Sequence, residues 1–226
     1  MRNYKTETHL HVSEVSGCSK ISAAEMVKLY KEAGYSTIFI TDHLSRGTLR
    51  TFGDMSFDER IDRFFLGYEL AKAAGDEIGL TVLPGAELTL SCSNNDYLIY
   101  GFDKELFLRE DLFDMSIEEF SEYARGSGAM IVEAHPLRDG KCFPTFSFVD
   151  AAEAYNPNPR HENYTERVLS LAKEAGLPVT GGSDAHRYED IARSGILTDE
   201  MILTPEDYIR IIRSGEYDII KDNTEI

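Results

Sequence analysis

The chain has 226 residues and a mass of 25.5 kDa, enough for one domain with a self-sufficient core. Hydrophobic residues make up 42% and charged residues 28%, a globular composition that excludes disorder. Its 23 basic and 40 acidic residues leave a net charge of −17, which repels nucleic-acid backbones and anionic membranes and argues against long nucleic acid as a partner.

Three cysteines without short spacing, Cys18, Cys92 and Cys142, argue against a disulfide framework and against a Cys-rich zinc site. They read as ordinary buried thiols in a reducing, cytoplasmic setting. No signal-peptide pattern opens the sequence. No apolar run approaches the roughly 18 residues of a membrane span.

In chain order, residues 4–12 alternate with a period of two and read as a strand. Ser22-x-x-Glu25 is a capping box opening a helix that Gly34 ends. Residues 36–41 form a β-branched, buried strand. Ser56-x-x-Glu59 opens a second helix, running to about Gly75. A short strand at 80–83 is stopped by Pro84-Gly85, and another covers 97–102. Ser116-x-x-Glu119 starts a third helix, ending near Gly126. A strand at 129–133 is stopped by Pro136, and one more lies within 148–155. A helix over 162–175 is closed by Gly176 and followed by a strand at 178–180. Thr204-Pro205 opens the last helix, which Gly215 closes. Seven or so alternating units predict an α/β protein with a mostly parallel sheet, one domain over residues 1–226. Periodicity leaves open whether that sheet closes into a barrel.

The six histidines are His9, His11, His43, His135, His161 and His186. All but His161 fall at or just past the C-terminal end of a predicted strand, the edge where parallel sheets build their sites. His9 and His11, two apart on a strand, point to one side and can reach one ion. Asp184 and His186 repeat that spacing, and Glu87 follows Pro84-Gly85-Ala86. Mixed nitrogen and oxygen donors suit Zn²⁺, Mn²⁺ or Fe²⁺. More than four such donors on one edge point to more than one ion. His161, at a helix start, reads as a surface residue, with substrate contact as the alternative.

Five motifs carry a resemblance over nearly the whole chain: Thr8-His9-Leu10-His11, Ile40-Thr41-Asp42-His43, Pro84-Gly85-Ala86-Glu87, Glu133-Ala134-His135-Pro136 and Gly182-Ser183-Asp184-Ala185-His186. In that order the sequence resembles the PHP (polymerase and histidinol phosphatase) family. The resemblance implies a distorted (β/α)7 barrel with two or three divalent metal ions at the C-terminal mouth, and phosphoesterase activity. It implies that His9, His11, Glu87 and Asp184 hold one ion. Glu87 would bridge to a second, also held by His135, while His43 and His186 would hold a third.

Two positions depart from the family pattern. The Asp or His expected five or six residues beyond the second His is Ser16 or Gly17 here, and Glu14 is the candidate in its place. The His that often precedes the Gly-Tyr-Gly strand is Asp96 here, a candidate ligand favouring harder ions.

Asp42 and Arg138 are the candidate catalytic residues. Asp42 reads as an acid behind His43 or a proton carrier, with a capping role as the alternative. Arg138 reads as a phosphate clamp away from the metals, with Lys141, Arg160 and Arg46 as weaker candidates. The expected chemistry is hydrolysis of a small phosphorylated molecule or short nucleotide by a metal-activated water. Hydrolysis of a C–N bond and a non-catalytic metal-binding role are the alternatives. The absence of a strand-end Lys that could be carbamylated counts against the first of these. The loops at 45–57 and 137–147 are expected to set specificity.

Overall fold

The computed structural model describes residues 2–221. In chain order its elements are β1 (Tyr4–Glu7), α1 (Ala23–Glu32), β2 (Thr37–Ile40), β3 (His43–Leu44), α2 (Arg46–Thr51), α3 (Phe57–Ile78), β4 (Thr81–Thr89) and β5 (Asp96–Tyr100). They continue with α4 (Ile117–Arg125), β6 (Met130–Ala134), β7 (Ala151–Tyr155), α5 (Thr165–Ala175), β8 (Val179–Gly181), β9 (Gly195–Thr198), α6 (Pro205–Ser214) and β10 (Tyr217–Ile220). The sheet runs β10-β9-β1-β2-β4-β5-β6-β7-β8, with β3 paired to β4. Its two ends meet where the Tyr217 hydroxyl donates to the Val179 carbonyl at 2.7 Å. The result is a nearly closed α/β barrel, the fold that the motif order implies.

The helices begin where their caps predict. Ser22, Ser56, Ser116 and Thr204 each accept a backbone N–H three residues on, and Gly176 and Gly215 end α5 and α6 in the left-handed region. Two boundaries differ. Helix α3 passes Gly75 and ends at Gly79, because Gly75 lies against the Leu80 carbonyl and Val82, where any Cβ would collide. Helix α5 starts only at Thr165, after Tyr164 at φ 49°.

Three departures in the sheet bear on the site. Strand β4 is not stopped by Pro84-Gly85; it changes partner there, from β2 through Pro84 to β3 and β5 from Gly85 onward. Glu87 therefore sits inside a strand, paired across to His43. Strand β5 runs antiparallel to β4 and β6, so its start, not its end, faces the mouth. Strands β9 and β10 add an antiparallel pair beside β1 that the sequence pattern did not reveal. Strand β1 itself is short, and the His9–His11 segment continues it through a single bridge from Leu10 to Ala185.

Candidate metal centre

The parallel strands β1, β2, β4, β6 and β8 bring His9, His11, His43, Glu87, His135, Asp184 and His186 to one mouth. His9, His11, Glu87, His135 and Asp184 are at most 1% exposed. Three donor groups emerge: His9 with His11 and Asp184, His9 with Glu87 and His135, and His11 with His43 and His186.

Distances in the innermost group have the dimensions of a coordination shell. His9 Nε2 lies 3.1 Å from His11 Nε2 and 3.5 Å from Asp184 Oδ1. His11 Nε2 lies 3.3 Å from that same oxygen. Glu87 Oε1 is 3.4 Å from His9 Nε2, and Glu87 Oε2 is 3.4 Å from His11 Nε2. A tetrahedral ion with bonds of 2.0–2.1 Å separates its donors by about 3.3 Å. Glu87 also reaches outward, with Oε1 2.9 Å from His135 Nε2 and Oε2 2.6 Å from His43 Nδ1. Glu87 Oε2, Asp184 Oδ1 and His135 Nδ1 are buried without a hydrogen-bond partner. Buried orphan oxygens are costly unless a cation meets them, so the donor set fits divalent metal ions.

Charge is distributed accordingly. Burial opposes protonation of His9, but Glu153, Asp184 and Glu87 around it hold its pKa well above the ordinary value. Burial and the neighbouring His43 and His186 push His11 well below it. Burial would raise Glu87 and Asp184; the imidazoles of His43 and His9 hold Glu87 well below the carboxylate range, and His9 with Arg138 does so for Asp184. Backbone strain marks the same two strand ends, since His135 and Asp184 adopt φ of 32° and 51°, costing of order 1 kcal/mol each.

The sequence pattern missed the struts beneath these residues. Glu153, in the middle of β7, accepts from His9 Nδ1 at 2.9 Å through Oε1, and from the His135 N–H and Asn156 through Oε2. Glu7 Oε1 accepts the backbone N–H groups of Thr8, His9 and Ser183, while Oε2 accepts the Tyr30 hydroxyl; burial pushes it up to about 7 against those donors. The available signal was an acid within an otherwise apolar strand, as in Ala-Ala-Glu-Ala-Tyr. Gly182 lets this layer close, because a Cβ there would lie 2.5 Å from His9 Cβ and 2.6 Å from Glu153 Oε1.

Three expected roles change, those of Glu14, Asp96 and Arg138, and a fourth residue, Asp42, keeps its expected place. Glu14 joins none of the donor groups: both carboxylate oxygens accept the Ala23 N–H at the start of α1, 3.0–3.1 Å away. Asp96, at the start of antiparallel β5, lies near Glu87 and His135 but joins none of the donor groups; its Oδ1 accepts from Thr89 at 2.5 Å. Burial first, then the Glu87 charge, raises its pKa. Asp42 stands behind His43. Its Oδ1 accepts from the Val12 N–H and the Ser16 hydroxyl, and Ser16 in turn accepts the His43 N–H. Its other oxygen packs toward Gly67, away from the mouth. Arg138 is not apart from the metal ligands, since its Nη2 donates to Asp184 Oδ2 at 2.5 Å and its Nε to Asn163. That contact leaves Oδ1 of Asp184 facing His9 and His11.

Arg160 pairs with Asp190 through two 2.7 Å bonds, and Arg46 pairs with Asp114. Lys141 is exposed, 4.0 Å from Asp139. His161 Nδ1–H donates to Asp139 across 2.9 Å, and the residue borders the mouth. Cys142 is buried, but Cys18 and Cys92 are exposed. Cys18 lines a cavity of about 240 Å³ together with His43, Arg138, Arg160, His186 and Arg187. Burial would raise its thiol, yet His186 and His43 bring it down to about 6. No helix among the described residues is long and apolar enough to cross a membrane.

The arrangement has counterparts among known proteins. A structure from Bacteroides vulgatus, a two-domain protein containing a predicted PHP-like metal-dependent phosphoesterase, superposes with a TM-score of 0.66 at 14% identity, covering 97% of this chain and 65% of that one. An amidohydrolase from Chromobacterium violaceum, with bound sulfate and no metal, matches at 0.58 and 16% identity over 97% and 99% of the two chains. The lesion-specific endonuclease EndoQ from Pyrococcus furiosus matches at 0.59 and 14% identity, over 96% of this chain and 57% of its own. At such identities the likeness shows the fold. The comparison with curated proteins gives no match. The family model described as PHP-associated matches residues 162–217, which include α5, β8 and the Asp184–His186 strand end. That segment closes a barrel whose earlier strand ends carry the other four motifs, in the order on which the resemblance to the PHP family rests.

Proposed function

We propose that this protein is a metal-dependent phosphoesterase acting on a small phosphorylated molecule or a short nucleotide. The observation that carries the reading is a local concentration of guanidinium groups. In a chain of net charge −17, Arg138, Arg160 and Arg187 gather around one cavity with the outer histidines. Guanidinium groups match phosphate oxygens in geometry and charge. His9, His11, Glu87 and Asp184 would hold one ion, Glu87 and His135 a second, and His43 and His186 a third. Zn²⁺, Mn²⁺ and Fe²⁺ suit these donors.

Bound there, the ions would supply Lewis acidity and lower the pKa of a coordinated water. The chain's own residues set the frame. Glu153 fixes the His9 ring through Nδ1 and leaves Nε2 for the mouth. Arg138 occupies the outer oxygen of Asp184 and fixes the carboxylate's rotation. Arg187, 48% exposed and 3.9 Å from Glu189, is the guanidinium least engaged by a carboxylate and meets an incoming anion. The acidic remainder of the surface favours a small substrate over a polymer.

The test is a substrate panel assayed with Mn²⁺ or Zn²⁺: phosphate monoesters, short oligonucleotides, and amides. Turnover of phosphate esters that chelator abolishes is the expected result. Amide hydrolysis with no phosphate ester turned over would overturn the reading in favour of C–N bond chemistry.

A further inference from the structure

We propose that Asn163 is a positioning residue for substrate: its carboxamide fixes the Arg138 guanidinium so that one nitrogen of the fork is left for a phosphoryl oxygen. The inference rests on the phosphoesterase reading and deepens it, by naming what sets the orientation of the phosphate-binding arginine.

Arg138 follows β6 on a tight loop whose own hydrogen bonds are local, from the Arg138 N–H to the His135 carbonyl and from the Lys141 N–H to the Arg138 carbonyl. Its guanidinium is held from a different loop, the one that follows β7. Nε donates to Asn163 Oδ1 at 3.3 Å, and Nη2 donates to Asp184 Oδ2 at 2.5 Å. The two loops are zipped together beside this contact. The Asp139 N–H donates to the Glu162 carbonyl at 2.7 Å, and the Glu162 N–H donates to Asp139 Oδ1 at 3.1 Å. Asn163 is 7% exposed and uses both ends of its carboxamide. While Oδ1 accepts from Arg138, Nδ2 donates to the Asn156 carbonyl at 2.7 Å. Asn156 in turn donates to Glu153, which accepts from His9 Nδ1. The arginine is thus tied to the same buried frame as His9 and Asp184.

A guanidinium is a rigid planar fork. Anchors at Nε and Nη2 fix that plane, whereas the Asp184 contact alone would leave it free to turn. Among the described residues Nη1 has no hydrogen-bond partner, and Arg138 lines the cavity that His43, His186 and Arg187 share. Nη1 is therefore the donor available to an anion there. Fixing it beforehand removes the ordering cost that a flexible side chain incurs on binding. Asparagine suits the position because one short side chain offers an acceptor to Nε and a donor to a carbonyl. Its acceptor is also uncharged, so it does not compete with an anion for the guanidinium as a third carboxylate would.

Inorganic phosphate is the probe, titrated calorimetrically into the Mn²⁺-loaded chain. Asn163→Ala should weaken its binding about tenfold, the loss expected of one charge-assisted hydrogen bond, with metal stoichiometry unchanged. Arg138→Lys keeps a cation beside Asp184 but has no plane to orient. Adding Asn163→Ala to Arg138→Lys should therefore change phosphate affinity by no more than about twofold. Asn163→Ser, whose hydroxyl is too short to reach Nε, carries the same comparison if the alanine variant does not fold. An equal loss in the wild-type and Arg138→Lys backgrounds, or no loss in either, would overturn the role of Asn163 and leave the phosphoesterase reading standing. Wild-type protein that holds Mn²⁺ but binds no phosphate would overturn both.

Discussion

Glu87 has four imidazoles within 2.6–3.4 Å of its two oxygens. An imidazole offers one free nitrogen to one ion, whereas a carboxylate can join two. Glu87→Gln keeps the size and removes the charge that screens neighbouring cations, so two metal equivalents should weaken together. His43→Ala should weaken only the outer one. Elemental analysis of the two variants separates these outcomes; full metal in Glu87→Gln would reduce Glu87 to a structural acid. Arg138→Ala strips the cation from a carboxylate that is 1% exposed. In chelator-treated protein the loss should be of order 3 kcal/mol. Added metal should narrow it, because the ions then compensate Asp184. Thermal melts with and without chelator make the comparison, and equal losses would count against the shared role. Asp42, moved by burial from 3.8 to about 7, holds its proton more tightly folded than unfolded. The contribution of Asp42 to the stability of the metal-free protein is therefore full near pH 4, falls as pH rises to about 7 and stays low above. Asn at position 42 keeps the acceptor used by Val12 and Ser16 and removes the buried charge. Asp42→Asn should gain up to about 4 kcal/mol at pH 8 and nothing at pH 4, as read by denaturant unfolding at both values.

At the scale of elements, the site depends on strands that change partner. Strand β4 leaves β2 at Pro84, where a missing N–H does least harm at the end of one ladder, and carries Glu87 onward beside β3 and β5. Helix α3 backs this region. A Cβ at Gly67, in its third turn, would lie 2.5 Å from Asp42 Oδ2 and 2.8 Å from Val12 Cγ2. Alanine is the better helix former by about 1 kcal/mol, yet overpacking of this kind costs about 1–3 kcal/mol. Gly67→Ala should therefore lower the melting temperature. It should also disturb the Asp42–Ser16–His43 chain, weakening the outer metal before the inner one. A rise in melting temperature with metal content unchanged would show that Asp42 has room to move.

Across the whole molecule, seven donor residues from distant parts of the chain share one mouth, and three of them are buried carboxylates or imidazoles with an unpartnered atom. The closed state is thus incomplete in energy until cations bind. Each site saturated at 100-fold over its dissociation constant adds about 2.7 kcal/mol. Chelator should lower the melting temperature, and Zn²⁺ or Mn²⁺ should restore it in steps that follow stoichiometry. A melting temperature indifferent to both would mean that the native state alone tolerates the orphan atoms. The barrel seam, closed by Tyr217 to Val179, joins the last described strand to β8, so the donors of β8 depend on a residue more than thirty positions further on.

What the sequence alone determined is local or carried by residue type. Serine and threonine caps, closing glycines and the alternation of β with α are written in neighbouring residues, and helices α1, α4 and α6 follow from them. The His-x-His pair, Glu87, His135 and the Asp184–His186 pair were legible because strand ends bring like chemistry to one edge. Only the tertiary structure decided matters that depend on partners. The antiparallel course of β5 put Asp96 at the mouth without making it a donor. The direction of one carboxylate gave Glu14 to α1. Packing against Gly67 turned Asp42 inward, and the reach of Arg138 across to Asp184 made it a neighbour of the metal ligands. Glu7 and Glu153 looked like ordinary strand residues until the barrel closed over them. For Asp42, Arg138, Glu7 and Glu153 the role was fixed by a partner tens of residues away, and no spacing along the chain encodes such a distance.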